Sequence, residues 1–340
     1  MRYFLLVFLL AGAWASAFSF KENLSALYER AIAQNFTSAR LERLFDAALS
    51  RRQGPLTLSF VGDVMLSRYV GKVIDKHKDP TYPFLGIAKD LQSADLAFGN
   101  LEGPISDRGT DRGSKYSFRA DPKVVEGLKF AGFDVVSLAN NHIFDWGPQA
   151  LVDTAELLGR AGIKPIGAGA NSEEANRPAI FRLKNTAVAY LAFTNLYPKS
   201  FTAGTSSPGV SRSTAKDMQD AVRKLRGVAD VVVTSLHWGE EYRATSTAAQ
   251  QELARALVDA GADLVIGHHP HVAEEIERYK GGWIVYSLGN FIFDQNFSEE
   301  TTRGLMVTTK IARGKIQDLY SKTIVISKSF QPSIQDIQQK

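Results

Sequence analysis

The chain has 340 residues, 44% of them hydrophobic, so it is long enough to bury a large core and has the composition of a globular protein. Its net charge of +4 comes from 40 basic and 36 acidic residues mixed along the sequence, a pattern that argues against nucleic-acid binding. Cysteine is absent, which excludes disulfides, a thiol nucleophile and thiolate metal sites; any metal ion must be held by His, Asp, Glu or Asn.

The N-terminus predicts export. A basic start at Arg2 precedes an apolar run over residues 3–14, and the small residues 15–17 are typical of a signal-peptide cleavage site. We predict a signal peptide over residues 1–17, cleaved after Ala17, and a periplasmic or extracellular protein. The alternative is an uncleaved N-terminal membrane anchor, although the run is shorter than the roughly 20 residues that span a bilayer.

Residues 18–55 are predicted to form a helical N-terminal arm. Apolar residues such as Leu24, Leu27, Tyr28 and Ile32 recur at spacings of three and four among charged residues, which favours an amphipathic helix. Such a stripe is more typical of a packing face than of a partner site.

From residue 56 to residue 326, strand and helix patterns alternate and predict one layered α/β domain. Strands are predicted over residues 56–66, 95–98, 134–138, 164–167, 180–183, 187–193, 230–236 and 263–266. Helices are predicted over residues 82–91, 121–130, 148–160, 214–225 and 247–260. Later strands, predicted to be antiparallel, cover residues 273–279, 283–288, 305–311 and 316–326, and they imply a second sheet. Residues 327–340 form a polar C-terminal tail that we expect to be frayed.

Polar clusters follow five of the predicted strands, at residues 62–66, 99–103, 139–142, 237–240 and 267–271. Five of the six histidines lie in these clusters. Each cluster alone is typical of a turn or a helix cap, but catalytic groups gather at strand ends in α/β proteins, so together they predict one shared site. Carboxylate, amide and imidazole donors suit Mn, Fe, Zn or Mg.

The order of these clusters resembles that of the motifs in the calcineurin-like metallophosphoesterase superfamily. Their residue sequences resemble the motifs of the CapA family of bacterial capsule and poly-gamma-glutamate biosynthesis proteins. The resemblance covers residues 56–293 and implies a four-layer αββα sandwich, in which two packed mixed sheets are flanked by helices. Its motifs are Gly62-Asp63-Val64-Met65-Leu66-Ser67-Arg68, Asn100-Leu101-Glu102, Ala139-Asn140-Asn141-His142 with Asp145 and Gly147, His237-Trp238-Gly239-Glu240-Glu241-Tyr242, Gly267-His268-His269-Pro270-His271 and Ser287-Leu288-Gly289-Asn290-Phe291.

The resemblance implies one or two divalent metal ions and a role for each matching residue. The first metal would be held by Asp63 and His271, and Glu102 would bridge both metals. The second metal would be held by Asn141, His237 and His269. The resemblance further implies that His142 protonates the leaving oxygen or stabilises the transition state, and we expect Asp145 to orient it. Substrate contacts are expected from Arg68, Glu240, Tyr242 and Asn290.

One departure from the superfamily pattern concerns the first metal. Met65 stands where the superfamily has a histidine ligand, and a thioether is a poor ligand for hard metals. We therefore expect His269→Ala to abolish metal binding and His271→Ala to weaken it. His268 is expected to pack or to support its neighbours.

Two principal functions are compatible with this sequence. The first is an exported metal-dependent hydrolase, acting on a phosphoester or an anionic polymer in capsule or poly-gamma-glutamate biosynthesis. The second is a non-catalytic or weakly active assembly or export factor, which would use the site for binding beside a membrane capsule synthase or export complex. A carbohydrate or nucleotide hydrolase unrelated to capsule is a third hypothesis.

Overall fold

The computed structural model describes residues 54–335. The predicted signal peptide, its membrane-anchor alternative and almost all of the N-terminal arm lie outside these residues. No helix within residues 54–335 is both long enough and apolar enough to cross a membrane.

The described residues form strands and helices that alternate along most of the chain. The strands are β1 Leu56–Val64, β2 Leu96–Leu101, β3 Val135–Ser137, β4 Lys164–Ile166, β5 Ala168–Gly169, β6 Ala179–Leu183, β7 Thr186–Thr194, β8 Gly209–Val210, β9 Val231–His237, β10 Leu264–His268, β11 Ile276–Tyr279, β12 Gly282–Val285, β13 Asn290–Ile292, β14 Arg303–Ala312, β15 Lys315–Ile326 and β16 Pro332–Ile334. The α-helices are α1 Arg68–His77, α2 Ala88–Gln92, α3 Val124–Ala131, α4 Gly147–Ala161, α5 Ser172–Ala175, α6 Ala215–Leu225 and α7 Ala248–Asp259.

Two large mixed sheets organise the domain. The first sheet has the order β16-β15-β14-β1-β2-β3-β4, with β13 also paired to β1, and the second has the order β11-β12-β10-β9-β7-β6. In the first sheet β1, β2, β3 and β4 run parallel, and in the second β7, β9, β10 and β12 run parallel. The carboxyl ends of parallel neighbours meet at one sheet edge, which is where α/β proteins place their sites.

The two sheets pack face to face around a shared apolar core. Phe60 and Phe98 from the first sheet and Tyr190 and Ile266 from the second are among the buried side chains of this core. The rings of Phe98 and Tyr190 stack with centroids 5.9 Å apart. Burying side chains from both sheets removes apolar surface from water, which is the main driving force for this arrangement.

Helices cover the outer face of each sheet. Val70 of α1, Leu128 of α3 and Leu158 of α4 pack against the first sheet, and Val222 of α6 and Leu257 of α7 pack against the second. The layers therefore run helix, sheet, sheet, helix, and the predicted four-layer αββα sandwich is confirmed.

Local sequence signals explain where the two outer helices of the second sheet begin. Thr214 caps α6 and exchanges hydrogen bonds with Asp217, and Thr247 does the same for α7 with Gln250. These capping boxes satisfy backbone N–H groups that have no partner inside the helix. The predicted starts at residues 214 and 247 are these capping residues.

Several predicted elements differ from the observed ones. Helix α1 was not predicted, because only Val70 and Ile74 of its ten residues are buried and the apolar pattern is sparse. The predicted helix over residues 82–91 is divided into a 3₁₀ turn, Tyr82–Phe84, and α2. The first strand ends at Val64, two residues before its predicted end at residue 66.

The C-terminal part departs further from the predictions. Strand β13 was not predicted, and it pairs parallel to β1. Strand β12 pairs antiparallel with β11 as expected but parallel with β10, so the prediction of purely antiparallel strands was wrong. Within the predicted frayed tail, residues 332–334 pair with β15 as β16, because Pro332 is buried at the sheet edge.

Candidate metal centre

Asp63 lies at the centre of the site, near the end of β1. It is fully buried, and its Oδ1 accepts a hydrogen bond of 2.8 Å from Asn100 Nδ2. His271 Nδ1 lies 3.3 Å from Oδ2 and His268 Nδ1 lies 3.4 Å from Oδ1. Burial alone would raise the pKa of Asp63, but the nearby imidazoles of His268 and His271 outweigh it and hold that pKa well below its usual value. Asp63 is therefore a carboxylate.

Glu102 follows β2 and is the second buried carboxyl group. Its Oε1 has no hydrogen-bond partner and lies 3.8 Å from His142 Nε2 and 3.7 Å from His271 Nε2. Burial raises the pKa of Glu102 well above its usual value, since the carboxylate form loses its hydration. A buried carboxyl oxygen that faces two imidazoles without a direct partner has the environment expected for an oxygen that binds a cation.

His237 ends β9 and reaches the first sheet. Its Nε2 lies 2.7 Å from Asn141 Oδ1, and its Nδ1 lies 3.3 Å from Asn100 Nδ2. Burial, followed by the neighbouring His269, lowers the pKa of His237 well below its usual value, so the ring is neutral, as a metal ligand must be. Donor atoms of Asp63, Glu102 and His237 lie within 4.8 Å of one another, and we name these three the first donor cluster.

The loop after β10 brings in two more imidazoles through unusual backbone geometry. His269 has φ 98° and His271 has φ 59°, values that side-chain-bearing residues seldom adopt and that often mark functional sites. Burial lowers the pKa of His269 to about 3, and its buried Nδ1 has no partner. Burial would also lower the pKa of His271, but Glu102 and Asp63 outweigh it and raise that pKa to about 9.

A second donor cluster forms around this loop. Donor atoms of Glu241, His269 and His271 lie within 4.8 Å of one another. His271 is also held by Asn290, whose Oδ1 lies 3.0 Å from His271 Nδ1 and whose amide donates to the Thr301 carbonyl at 2.9 Å. Asn290 is buried and orients this ligand, although we expected it to contact substrate.

His142 and Asp145 form a pair beside the first donor cluster. His142 Nδ1 lies 2.7 Å from Asp145 Oδ2; the same carboxylate group accepts hydrogen bonds from the Phe118 backbone N–H at 2.8 Å and the Ser114 hydroxyl at 2.9 Å. The Phe118 ring covers the imidazole, with centroids 4.0 Å apart. These contacts fix the ring so that Nε2 faces Glu102 and the space next to it.

Met65 does not offer its sulfur to either cluster. The side chain is fully buried, and Sδ accepts hydrogen bonds from Ser67, at 3.2 Å from the backbone nitrogen and 3.0 Å from the hydroxyl. Met65 therefore contributes no donor atom to either cluster.

The other expected substrate contacts lie on the edge of the site. Arg68 pairs with Asp294 at 3.2 Å, and its guanidinium lies over the Phe118 ring at 5.4 Å. Tyr242 is 44% exposed, and its ring lies 6.0 Å from that of His271. Glu240 is exposed and pairs with Arg243 at 3.2 Å instead of entering either donor cluster.

The structure brings the predicted ligands together but groups them differently from the sequence-based assignment. That assignment gave His269 and His271 to separate metals, whereas both lie in the second donor cluster with Glu241. Sequence reasoning did not name Glu241 or Asn100 as site residues. Both stand inside the quoted motifs, so their position beside assigned ligands was the signal available. The predicted ligand roles and the ranking of His269 over His271 stay predictions.

The donor set fits divalent metal ions. It combines carboxyl oxygens with imidazole nitrogens, the ligands that Zn, Mn and Fe share, and it leaves Glu102 Oε1 and His269 Nδ1 buried without partners. One or two ions fit the two donor clusters.

Comparison with known proteins gives consistent matches. Residues 57–295 match the family described as Bacterial capsule synthesis protein PGA_cap. The capsule biosynthesis protein CapA of Bacillus anthracis is 34% identical over 264 residues, which cover 75% of this chain and 64% of that protein. The PGA biosynthesis protein CapA of Bacillus subtilis (strain 168) is 35% identical over 254 residues, which cover 74% and 67%. The chain thus covers slightly less than two thirds of the Bacillus anthracis relative.

A solved structure shares the fold. The 5'-nucleotidase precursor from Thermus thermophilus aligns with a TM-score of 0.51 and 14% sequence identity, covering 82% of this chain and 56% of that chain. The likeness concerns the arrangement of strands and helices alone.

Proposed function

The chain belongs to the bacterial capsule synthesis protein family PGA_cap, and from this membership and the geometry of its site we propose that it is an exported, metal-dependent hydrolase. Its substrate is an anionic polymer or phosphoester of capsule or poly-gamma-glutamate biosynthesis. The observation that carries the proposal is the convergence of Asp63, Glu102 and His237 beside the fixed pair of His142 and Asp145.

Asp63, Glu102 and His237 would hold one ion, with Asn141 next to His237, and His269 and His271 would hold a second. A bound divalent ion would lower the pKa of a water molecule and neutralise charge on the substrate oxygens. The carboxylate and imidazole donors named here are all buried, so an ion would restore the electrostatic partners that burial removes.

His142 supplies the proton for the leaving oxygen in this proposal. Asp145 holds Nδ1 at 2.7 Å, which leaves Nε2 as the atom that faces the reacting centre. The carboxylate stabilises the charged imidazole whenever it carries a second proton. Because Asp145 is itself fixed by the Phe118 backbone and Ser114, the ring keeps one orientation through the reaction.

An anionic substrate fits the edge of the site. The Arg68 side chain is 31% exposed and pairs with Asp294 through Nε, so its terminal nitrogens do not make that contact. Guanidinium groups bind phosphate and carboxylate oxygens through paired hydrogen bonds. Tyr242 provides a half-exposed aromatic face on the His271 side.

A second function is favoured by one observation, the missing donor at Met65. A protein with an impaired site would serve as an assembly or export factor beside a membrane capsule synthase, and the site would bind polymer without cleaving it. In both proposals the protein acts in the periplasm or outside the cell.

The test is to purify the domain, measure bound metal, and assay phosphodiester and poly-gamma-glutamate cleavage for the wild type, Asp63→Ala and His237→Ala. His77→Ala is the matched control, since His77 stacks on Tyr82 at 3.8 Å and makes none of the site contacts described above. The hydrolase proposal is supported if the wild type and His77→Ala cleave the substrate and the cleavage rate falls by about 10²-fold or more in Asp63→Ala and His237→Ala. If the wild type binds metal but cleaves no faster than Asp63→Ala, the hydrolase proposal is refuted and the assembly factor is favoured.

A further inference from the structure

We propose that Glu241 is a metal ligand, and that its carboxylate replaces the donor lost at Met65. The inference rests on the metal-binding part of the proposed function and is independent of which bond is cleaved. It changes the composition of one metal site from the pattern implied by sequence resemblance, because the replacement comes from the loop after β9 instead of the end of β1.

The position of Glu241 is the first observation. One of its carboxylate oxygens lies within 4.8 Å of ring nitrogens on both His269 and His271. Three donors at this separation can reach one central ion with modest side-chain movement, since metal–ligand bonds of about 2.0–2.2 Å place ligand atoms about 3–4 Å apart. Two imidazoles and one carboxylate make a ligand set common to Zn, Mn and Fe sites.

The second observation is an unpartnered nitrogen. His269 is 7% exposed, and its buried Nδ1 has no hydrogen-bond partner. Leaving such an atom without a partner is unfavourable, because burial removes the hydrogen bond that water would supply. An orphaned nitrogen on a residue of the second donor cluster points to a ligand that is bound there in the working protein.

The backbone holds Glu241 against the histidine loop. The N–H of Tyr242 donates to the Pro270 carbonyl at 2.8 Å, which ties the residue after Glu241 to the residue between the two histidines. Tyr242, His269 and His271 all have positive φ, at 63°, 98° and 59°. Three residues in this unfavourable conformation around one point indicate a geometry kept for function.

Glu240 and Met65, the other candidate donors nearby, both have partners outside the donor clusters. Glu240 pairs with Arg243 at 3.2 Å and lies outside both donor clusters, so the two adjacent glutamates differ in their surroundings. Met65 Sδ is directed to Ser67 and is fully buried. A hard metal in the second donor cluster therefore gains an oxygen ligand from Glu241 where Met65 gives it none.

The experiment compares Glu241→Gln with Glu240→Gln in the full-length protein. Both side chains are exposed, so neither change should affect folding, and thermal unfolding in chelator checks this. Bound metal is counted by elemental analysis, and affinity is measured by calorimetric titration with Mn²⁺ and with Zn²⁺. We expect Glu241→Gln to weaken one binding event by at least about tenfold, and Glu240→Gln to stay within about twofold of the wild type.

A second variant tests whether the carboxylate itself is needed for metal binding. Glu241→Asp keeps the carboxylate and shortens the side chain by one methylene, so it should bind metal better than Glu241→Gln. Equal affinity and stoichiometry for the wild type and Glu241→Gln would overturn the inference, as would equal weakening by Glu240→Gln. The hydrolase proposal is tested separately, and it is refuted if the metal-saturated wild type cleaves neither a phosphodiester nor poly-gamma-glutamate.

Discussion

Glu274→Gln should stabilise the protein at neutral and alkaline pH and should not do so below about pH 4.5. Glu274 is 4% exposed, its Oε2 accepts a hydrogen bond from Gln250 at 3.0 Å, and its Oε1 has no partner. Burial raises the pKa of Glu274 from 4.5 to about 7, although the Gln250 hydrogen bond opposes the change. Because the folded state favours the protonated form, stability is full below pH 4.5 and is lost as the pH rises towards 7.

The size of the effect follows from that pKa. A rise from 4.5 to about 7 corresponds to about 3 kcal/mol at most. Glutamine keeps the acceptor for Gln250 and cannot ionise, so the variant lacks this pH-dependent loss.

Denaturant unfolding of the wild type and Glu274→Gln at pH 4.5, 6, 7 and 8, all in chelator, measures the prediction. Every other titrating group is common to both proteins, so the difference in unfolding free energy isolates Glu274. The difference should grow in favour of the variant between pH 4.5 and 7 and stay level above pH 8. Parallel stability curves across this range would refute the reasoning.

Two further predictions concern the site and its support. His142→Ala should lower kcat by about 10²–10⁴-fold and leave metal content unchanged, because His142 binds Asp145 and lies in neither donor cluster; loss of metal in the variant would contradict its assigned role. Gly267→Ala should destabilise the fold by about 3 kcal/mol or more, since an added Cβ would lie 1.7 Å from the Tyr286 carbonyl oxygen, whereas Gly159→Ala meets nothing within 4 Å and should be neutral or stabilising in the same unfolding assay.

Much of the fold follows from local pattern in the sequence. Capping residues such as Thr214 and Thr247 mark helix starts, and the apolar runs of β7, β9 and β10 predict strands, which the structure buries completely. The resemblance to the CapA family, carried by separate short motifs in order, is confirmed by the match over residues 57–295. The layer order followed from that resemblance and is confirmed by the packed cores.

What could not be predicted depends on contacts between distant segments. Strand β13 has three residues and is defined by pairing with β1, which no local pattern encodes. Helix α1 has a weak apolar stripe and is held by its packing under the first sheet. Glu241 lies beside His269 and His271 where two loops distant in sequence meet, tied by the backbone hydrogen bond from Tyr242 to Pro270. The sequence showed only that Glu241 belongs to the same motif as His237.

The site joins the two sheets of the sandwich, and this has a consequence for how the protein folds. Asp63 and Glu102 belong to the first sheet, and His237 and His269 follow strands of the second; the Asp63 carboxylate and the His269 backbone, 3.3 Å apart, are 206 positions apart in sequence. The donors can meet only when the two sheets are packed together, so metal binding would require that packing. A bound ion would then act as a cross-link between the sheets, and its removal should loosen their packing before any strand or helix is lost.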